Sequence, residues 1–79
     1  MPEYQAKEYV IRPVEGDSQI ELIIYGTNGL RWEFGIPYSK TTGRYSFEEV
    51  HVIAMDFGQE LADKLTDEID KLVEKLVAQ

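Results

Sequence analysis

His51 is the one histidine of the chain. It is therefore the one side chain whose ordinary pKa suits general-base work near neutral pH. On a helix it would lie one turn from Phe47 and Ala54, at the edge of an apolar stripe. No serine or aspartate is placed by the sequence to form a triad with it, and a boundary histidine packed on the core is the simpler reading. A single histidine makes a multi-histidine metal site impossible. The absence of cysteine excludes thiolate zinc sites and disulfides. Acids are plentiful, but abundance on a helix is not a carboxylate pair with separated pKa values. No enzymatic activity, cofactor or metal is expected.

Three other groupings could bind rather than react. The segment "YSKTTGR" sets Lys40, Arg44 and two threonines just before an expected helix start, a place that can hold an anion. It lacks the G-x-x-x-x-G-K-[ST] order of a phosphate loop, so it reads as a polar connector. Asp56, Glu60, Asp63, Asp67, Asp70 and Glu74 recur at steps of four and three, which puts them on one helix face. A row of charges one turn apart could imitate a phosphate backbone and occupy a nucleic-acid-binding groove. A solvated face is the plainer reading, supported by the i,i+4 acid–lysine pairs Glu60–Lys64 and Asp67–Lys71. The third grouping is a sheet face on which Val10, Ile23 and Tyr25 form an apolar patch ringed by Arg12, Glu21, Arg31 and Glu33. Aromatic and arginine side chains around an apolar centre resemble a binding surface.

The elements that would position these groups follow from periodicity. "AKEYVIRPV" (6–14), "SQIELIIYG" (18–26) and "LRWEFGIPY" (30–38) read as strands separated by the turn signals "EGD" and "TNG". Register follows from matching apolar faces, because a slip of one residue puts a core face in water. A two-residue Asn28-Gly29 loop would set Glu21 against Ile36. A three-residue loop, Thr27-Asn28-Gly29, pairs Ile24 with Trp32, Leu22 with Phe34 and Ile20 with Ile36, and asks Gly29 for a left-handed conformation. The first hairpin aligns Tyr9 with Ile24, Ile11 with Leu22 and Pro13 with Ile20. Strand one is then an edge strand, where proline's missing N–H is tolerated. Arg12 falls opposite Glu21, and Tyr25 opposite Arg31.

The stretch "GRYSFEEVHVIAMDFGQE" (43–60) is rich in β-branched residues and could hold a fourth strand, with Asp56 capping a later helix. Against that, Phe47, Val50, Ala54, Phe57, Leu61, Leu65, Ile69, Leu72 and Leu76 form a helical stripe without a phase break. Ser46 and Glu49 also match a capping box. The expected fold is α+β: a three-stranded antiparallel meander (about 6–38) packed on one long C-terminal helix (about 47–77) that can bend near Gly58, all in one domain. Such a helix, at roughly 1.5 Å per residue, outruns a nine-residue strand. Leu65, Ile69, Leu72, Val73 and Leu76 would then overhang the sheet, and a second copy of the helix would bury them, so a homodimer is expected.

Size and charge bound the function. A 79-residue chain without cysteine must rely on good packing or oligomerisation. Net charge is −7, and residues 46–79 carry nine of the fifteen acids against three lysines. That balance repels nucleic acid and anionic lipid and suits a basic protein partner. No apolar run approaches a membrane span, and no charged leader precedes an apolar segment, so a cytoplasmic location is expected. The expected function is a non-enzymatic protein-binding module, an inhibitor or adaptor, of the small acidic kind common in phages and mobile elements. The alternatives are a DNA mimic acting through the acidic helix face, and a nucleic-acid binder using the sheet. A three-stranded sheet backed by a helix is similar in outline to the DNA-binding domains of some plant transcription factors and integrases. Those sheets present a basic face, whereas here Arg12 and Arg31 are matched by Glu21 and Glu33.

Overall fold

A computed structural model of the protein describes residues 5–14, 16 and 18–78. Its strands are β1 (Ala6–Val14), β2 (Gln19–Gly26) and β3 (Arg31–Pro37), in the order β1-β2-β3. Two helices follow, α1 (Val50–Phe57) and α2 (Gln59–Val77). This is the expected βββα arrangement with the helical part in two pieces. Glu15 and Asp17 of the expected first turn lie outside the described residues.

Both expected registers are formed. Tyr9 pairs with Ile24, Ile11 with Leu22 and Pro13 with Ile20. Across the second hairpin Ile24 pairs with Trp32, Leu22 with Phe34 and Ile20 with Ile36. The connecting residues Thr27–Gly29 form a single 3₁₀ turn, closed where the Gly26 N–H donates to the Leu30 carbonyl at 2.8 Å. Gly29 sits at φ 75°, the left-handed conformation this loop requires and which glycine adopts without a Cβ penalty.

One face of the sheet meets both helices. Ile20, Leu22, Ile24 and Ile36 from the strands, Ile53 from α1, and Ala62, Leu65, Ile69 and Val73 from α2 form a single buried cluster. Each large aliphatic side chain buried this way contributes roughly 1.5–3 kcal/mol. Trp32 and Phe57 meet edge to face with ring centroids 4.9 Å apart, tying the end of α1 to β3. The connector between sheet and helix is folded on itself. Tyr38 and Tyr45 form a bridge, the Ser39 N–H donates to the Arg44 carbonyl at 2.8 Å and the Gly43 N–H to the Ser39 carbonyl at 2.9 Å.

The helical reading of residues 50–55 is correct, and the stripe continues through them, but the helix is not continuous. Gly58 adopts φ 106°, ψ 152°, a backbone region essentially reserved for glycine. The ladder stops there and restarts in α2. At the N-terminal end the capping box is not formed: helical structure starts at Val50 without a side-chain cap. The reason is tertiary. The Ser46 N–H, which Glu49 would have had to accept, donates instead to the Pro37 carbonyl at 3.0 Å.

The break removes the expected overhang. The 19 residues of α2 span roughly 28 Å at 1.5 Å per residue, and the nine residues of β1 span about 30 Å, so helix and sheet match in length. Leu65, Ile69 and Val73 are buried within the one chain. Leu72 and Leu76 are half-buried against the same core. The stripe that was to demand a second helix is thus satisfied by its own sheet.

Candidate functional site

The sheet face turned away from the helices is covered by no other described helix or strand. Arg12 stands opposite Glu21 and Tyr25 opposite Arg31, as the register requires. Two ion pairs frame the face. Arg12 Nε lies 2.9 Å from Glu21 Oε2, and Arg31 Nη2 lies 3.5 Å from Glu33 Oε2. Hydrogen bonding to the Glu21 carboxylate and its charge hold the Arg12 guanidinium firmly protonated. Val10 is exposed and Tyr25 half-buried, but Ile23, between Val10 and Glu33 in the ladder, is only 5% accessible. The apolar centre available to a partner is therefore Val10 and Tyr25, with Ile23 as floor. Exposed ion pairs of this kind add little stability. They neutralise both arginines toward a polyanion.

The acidic row is divided. Asp56 belongs to α1, and Glu60, Asp63, Asp67, Asp70 and Glu74 to α2, all five exposed. Three of the five already have partners. Gln59 Nε2 donates to Asp63 Oδ1 at 2.9 Å, Lys71 Nζ lies 3.0 Å from Asp67 Oδ2, and Asp70 receives the Tyr45 hydroxyl. Burial first, then this hydrogen bond and the Asp70 charge, raise the Tyr45 pKa. The expected Glu60–Lys64 pair gives way to another contact: Lys64 Nζ lies 5.6 Å above the Tyr9 ring.

Sequence reasoning missed two features. The first is a groove of about 390 Å³ between β1 and α2, lined by Tyr9, Ile11, Glu68, Lys71 and Leu72. In it the Tyr9 hydroxyl faces Glu68, and its pKa is pushed up to about 12 by burial, by the hydrogen bond to Glu68 and by the Glu68 charge. Glu68 Oε2 is buried without a hydrogen-bond partner. Nothing in the sequence sets residue 9 beside residue 68, because their proximity depends on where α2 crosses the sheet. The second is the outer side of α1, where Val52 is 52% and Met55 75% exposed. Here part of the signal was present: both residues lie off the apolar stripe, although Ile53, also off it, is fully buried.

His51 is exposed. Two of the three hydroxyls of the 39–44 connector accept from its own backbone, with the Thr42 N–H donating to Ser39 Oγ at 3.2 Å and the Arg44 N–H to Thr42 Oγ1 at 3.3 Å. Lys40 and Arg44 consequently stand on a self-satisfied loop and not at a helix N-terminus. Among the described residues no cluster of His, Asp or Glu could hold a metal ion. No described helix is long and apolar enough to cross a membrane. In comparisons with known proteins, no family model, no curated protein and no solved structure matches the chain.

Proposed function

We propose that the protein is a non-enzymatic binding module that recognises a basic protein partner through its open sheet face. The observation carrying this reading is an uncovered face on which Val10 and Tyr25 stand between the Arg12–Glu21 and Arg31–Glu33 pairs. Interface centres favour tyrosine and arginine over lysine and glutamate. A tyrosine half-buried in a sheet can anchor a partner at little conformational cost. The charge of −7 speeds encounter with a positive partner and discourages negative ones. A second reading places the anchor on α1, favoured by the exposure of Met55 and Val52, since methionine adapts to irregular partner surfaces.

The test is comparative capture from a lysate of the source organism. A protein retained by the unmodified chain, lost on Tyr25→Ala and kept on Met55→Ala supports the sheet face. The reverse pattern supports α1. A partner that survives both changes, but is lost on Asp63→Asn with Asp67→Asn and released steeply by salt, would overturn both in favour of the acidic face.

A further inference from the structure

β1 is an edge strand, and the direction of its unused backbone groups can be derived. The Gly26 N–H bonds to the Leu30 carbonyl and the Tyr38 N–H to the Ser18 carbonyl. Antiparallel ladders alternate, so Ile20, Leu22 and Ile24 bond toward β3, and Gln19, Glu21, Ile23 and Tyr25 toward β1. The ladder partners of the latter are Val14, Arg12, Val10 and Glu8. The intervening residues Tyr9, Ile11 and Pro13 therefore aim their backbone groups away from the sheet. Pro13 fits such a place because it has no N–H to offer. Beside this edge lies the groove of Tyr9, Ile11, Glu68, Lys71 and Leu72, with the partnerless Glu68 oxygen in its wall.

We infer that the β1 edge pairs with the β1 edge of a second copy of this chain, antiparallel about a two-fold axis at Val10, to make a six-stranded sheet. Registers that join outward-facing backbone to outward-facing backbone put the axis at Tyr9, Val10, Ile11 or Arg12, and the last sets Arg12 against Arg12. An axis at Tyr9 sets Glu8 against Val10, and one at Ile11 sets Val10 against Arg12, each leaving a charge opposite an apolar side chain. With the axis at Val10, Tyr9 and Ile11 exchange backbone hydrogen bonds, Val10 meets Val10, and Glu8 of each copy faces Arg12 of the other. Opposite charges directly across a ladder are favourable and like charges are not. On the other side of the sheet the same operation sets the two α2 helices antiparallel beside each other. This pairing shares Val10 and Arg12 with the sheet-face reading above, but its test reads association of the chain with itself and so fails or succeeds separately from capture of a partner.

Val10→Cys tests the register directly. The chain has no cysteine, and residues opposite one another at a non-hydrogen-bonded position have Cα atoms about 4.5 Å apart, within disulfide range. Val10 is 38% exposed, so the fold should tolerate the change, which circular dichroism checks. Under mild oxidation Val10→Cys should form a covalent dimer much faster than Thr41→Cys in the exposed connector. Sedimentation of the unmodified protein should show a dimer of 9.1 kDa chains at tens of micromolar. Glu8→Arg should weaken that dimer about tenfold, because two symmetry-related pairs turn repulsive, while leaving the Arg12–Glu21 pair within each chain in place. A monomer at this concentration overturns the inference. So does a dimer in which Val10→Cys crosslinks no faster than Thr41→Cys, which would place the contact elsewhere.

Discussion

The Tyr9 hydroxyl holds its proton because ionisation would set a phenolate beside the Glu68 carboxylate at a partly buried position. Its pKa lies at about 12 against an ordinary 10.0. Below pH 10 both folded and unfolded chains keep the proton, and the phenol imposes no pH dependence. Between about pH 10 and 12 the unfolded chain ionises while the folded one does not, so the folded state loses stability as pH rises through that window. Tyrosinate absorbance followed with circular dichroism should show one phenol ionising last, together with unfolding. Tyr9→Phe should remove that late phenol and move the alkaline midpoint upward. An unchanged midpoint would mean that Tyr9 ionises like an exposed tyrosine. At this scale the sequence was readable wherever ladder register decided the neighbour, as for Arg12 and Glu21. It was not readable for Lys64, whose choice between Glu60 one turn away and the Tyr9 ring depends on how α2 lies across the sheet.

Among the elements, the three strands were legible because apolar faces must match across two ladders at once, which leaves one register for each hairpin. The helices were legible in kind but not in extent. Phe57 and Leu61 keep their four-residue spacing across Gly58, so the apolar stripe carries no trace of the break. Only the glycine marks it, and glycine occurs in unbroken helices at a cost of about 1 kcal/mol. The capping box failed for a similar reason: Ser46 satisfies its N–H through β3, a contact remote in sequence. Gly58 now supports a sharper expectation. At φ 106°, ψ 152° any Cβ is strained, and residues in such regions cost roughly 1–3 kcal/mol. Gly58→Ala should lower stability by about that amount in urea denaturation, with the slope unchanged. Ala62→Gly within α2 would be a poor control, because it also removes a buried methyl. Glu60→Gly, at an exposed position of the same turn, isolates the ordinary helix-interior cost of glycine. A Gly58→Ala variant as stable as the parent would mean that the two helices can fuse at no cost, and that the break does not hold the chain in shape.

For the whole molecule, length arithmetic correctly required a long apolar stripe to find cover. One glycine changed which surface supplied it, turning the expected intermolecular contact of Leu65, Ile69 and Val73 into an intramolecular one. What remains outside is mostly acidic on α2 and charge-balanced on the open sheet face. Non-specific binding to duplex DNA comes from neutralising phosphates and releasing counterions. The cations best placed to do so on the sheet face, Arg12 and Arg31, lie 2.9 Å and 3.5 Å from carboxylate oxygens of their own chain, and Lys71 lies 3.0 Å from Asp67. Approach to DNA would have to sacrifice those pairs and bring a net charge of −7 against the phosphate backbone. No binding to random double-stranded DNA is therefore expected at physiological salt in an anisotropy titration reaching tens of micromolar. Lowering the salt should not rescue it, because the long-range term is itself repulsive. Glu21→Gln with Glu33→Gln frees both arginines while leaving the fold's apolar contacts in place, and should raise affinity only slightly. Tight binding by the unmodified protein that falls steeply with added salt would contradict this electrostatic account and make the sheet a nucleic-acid surface.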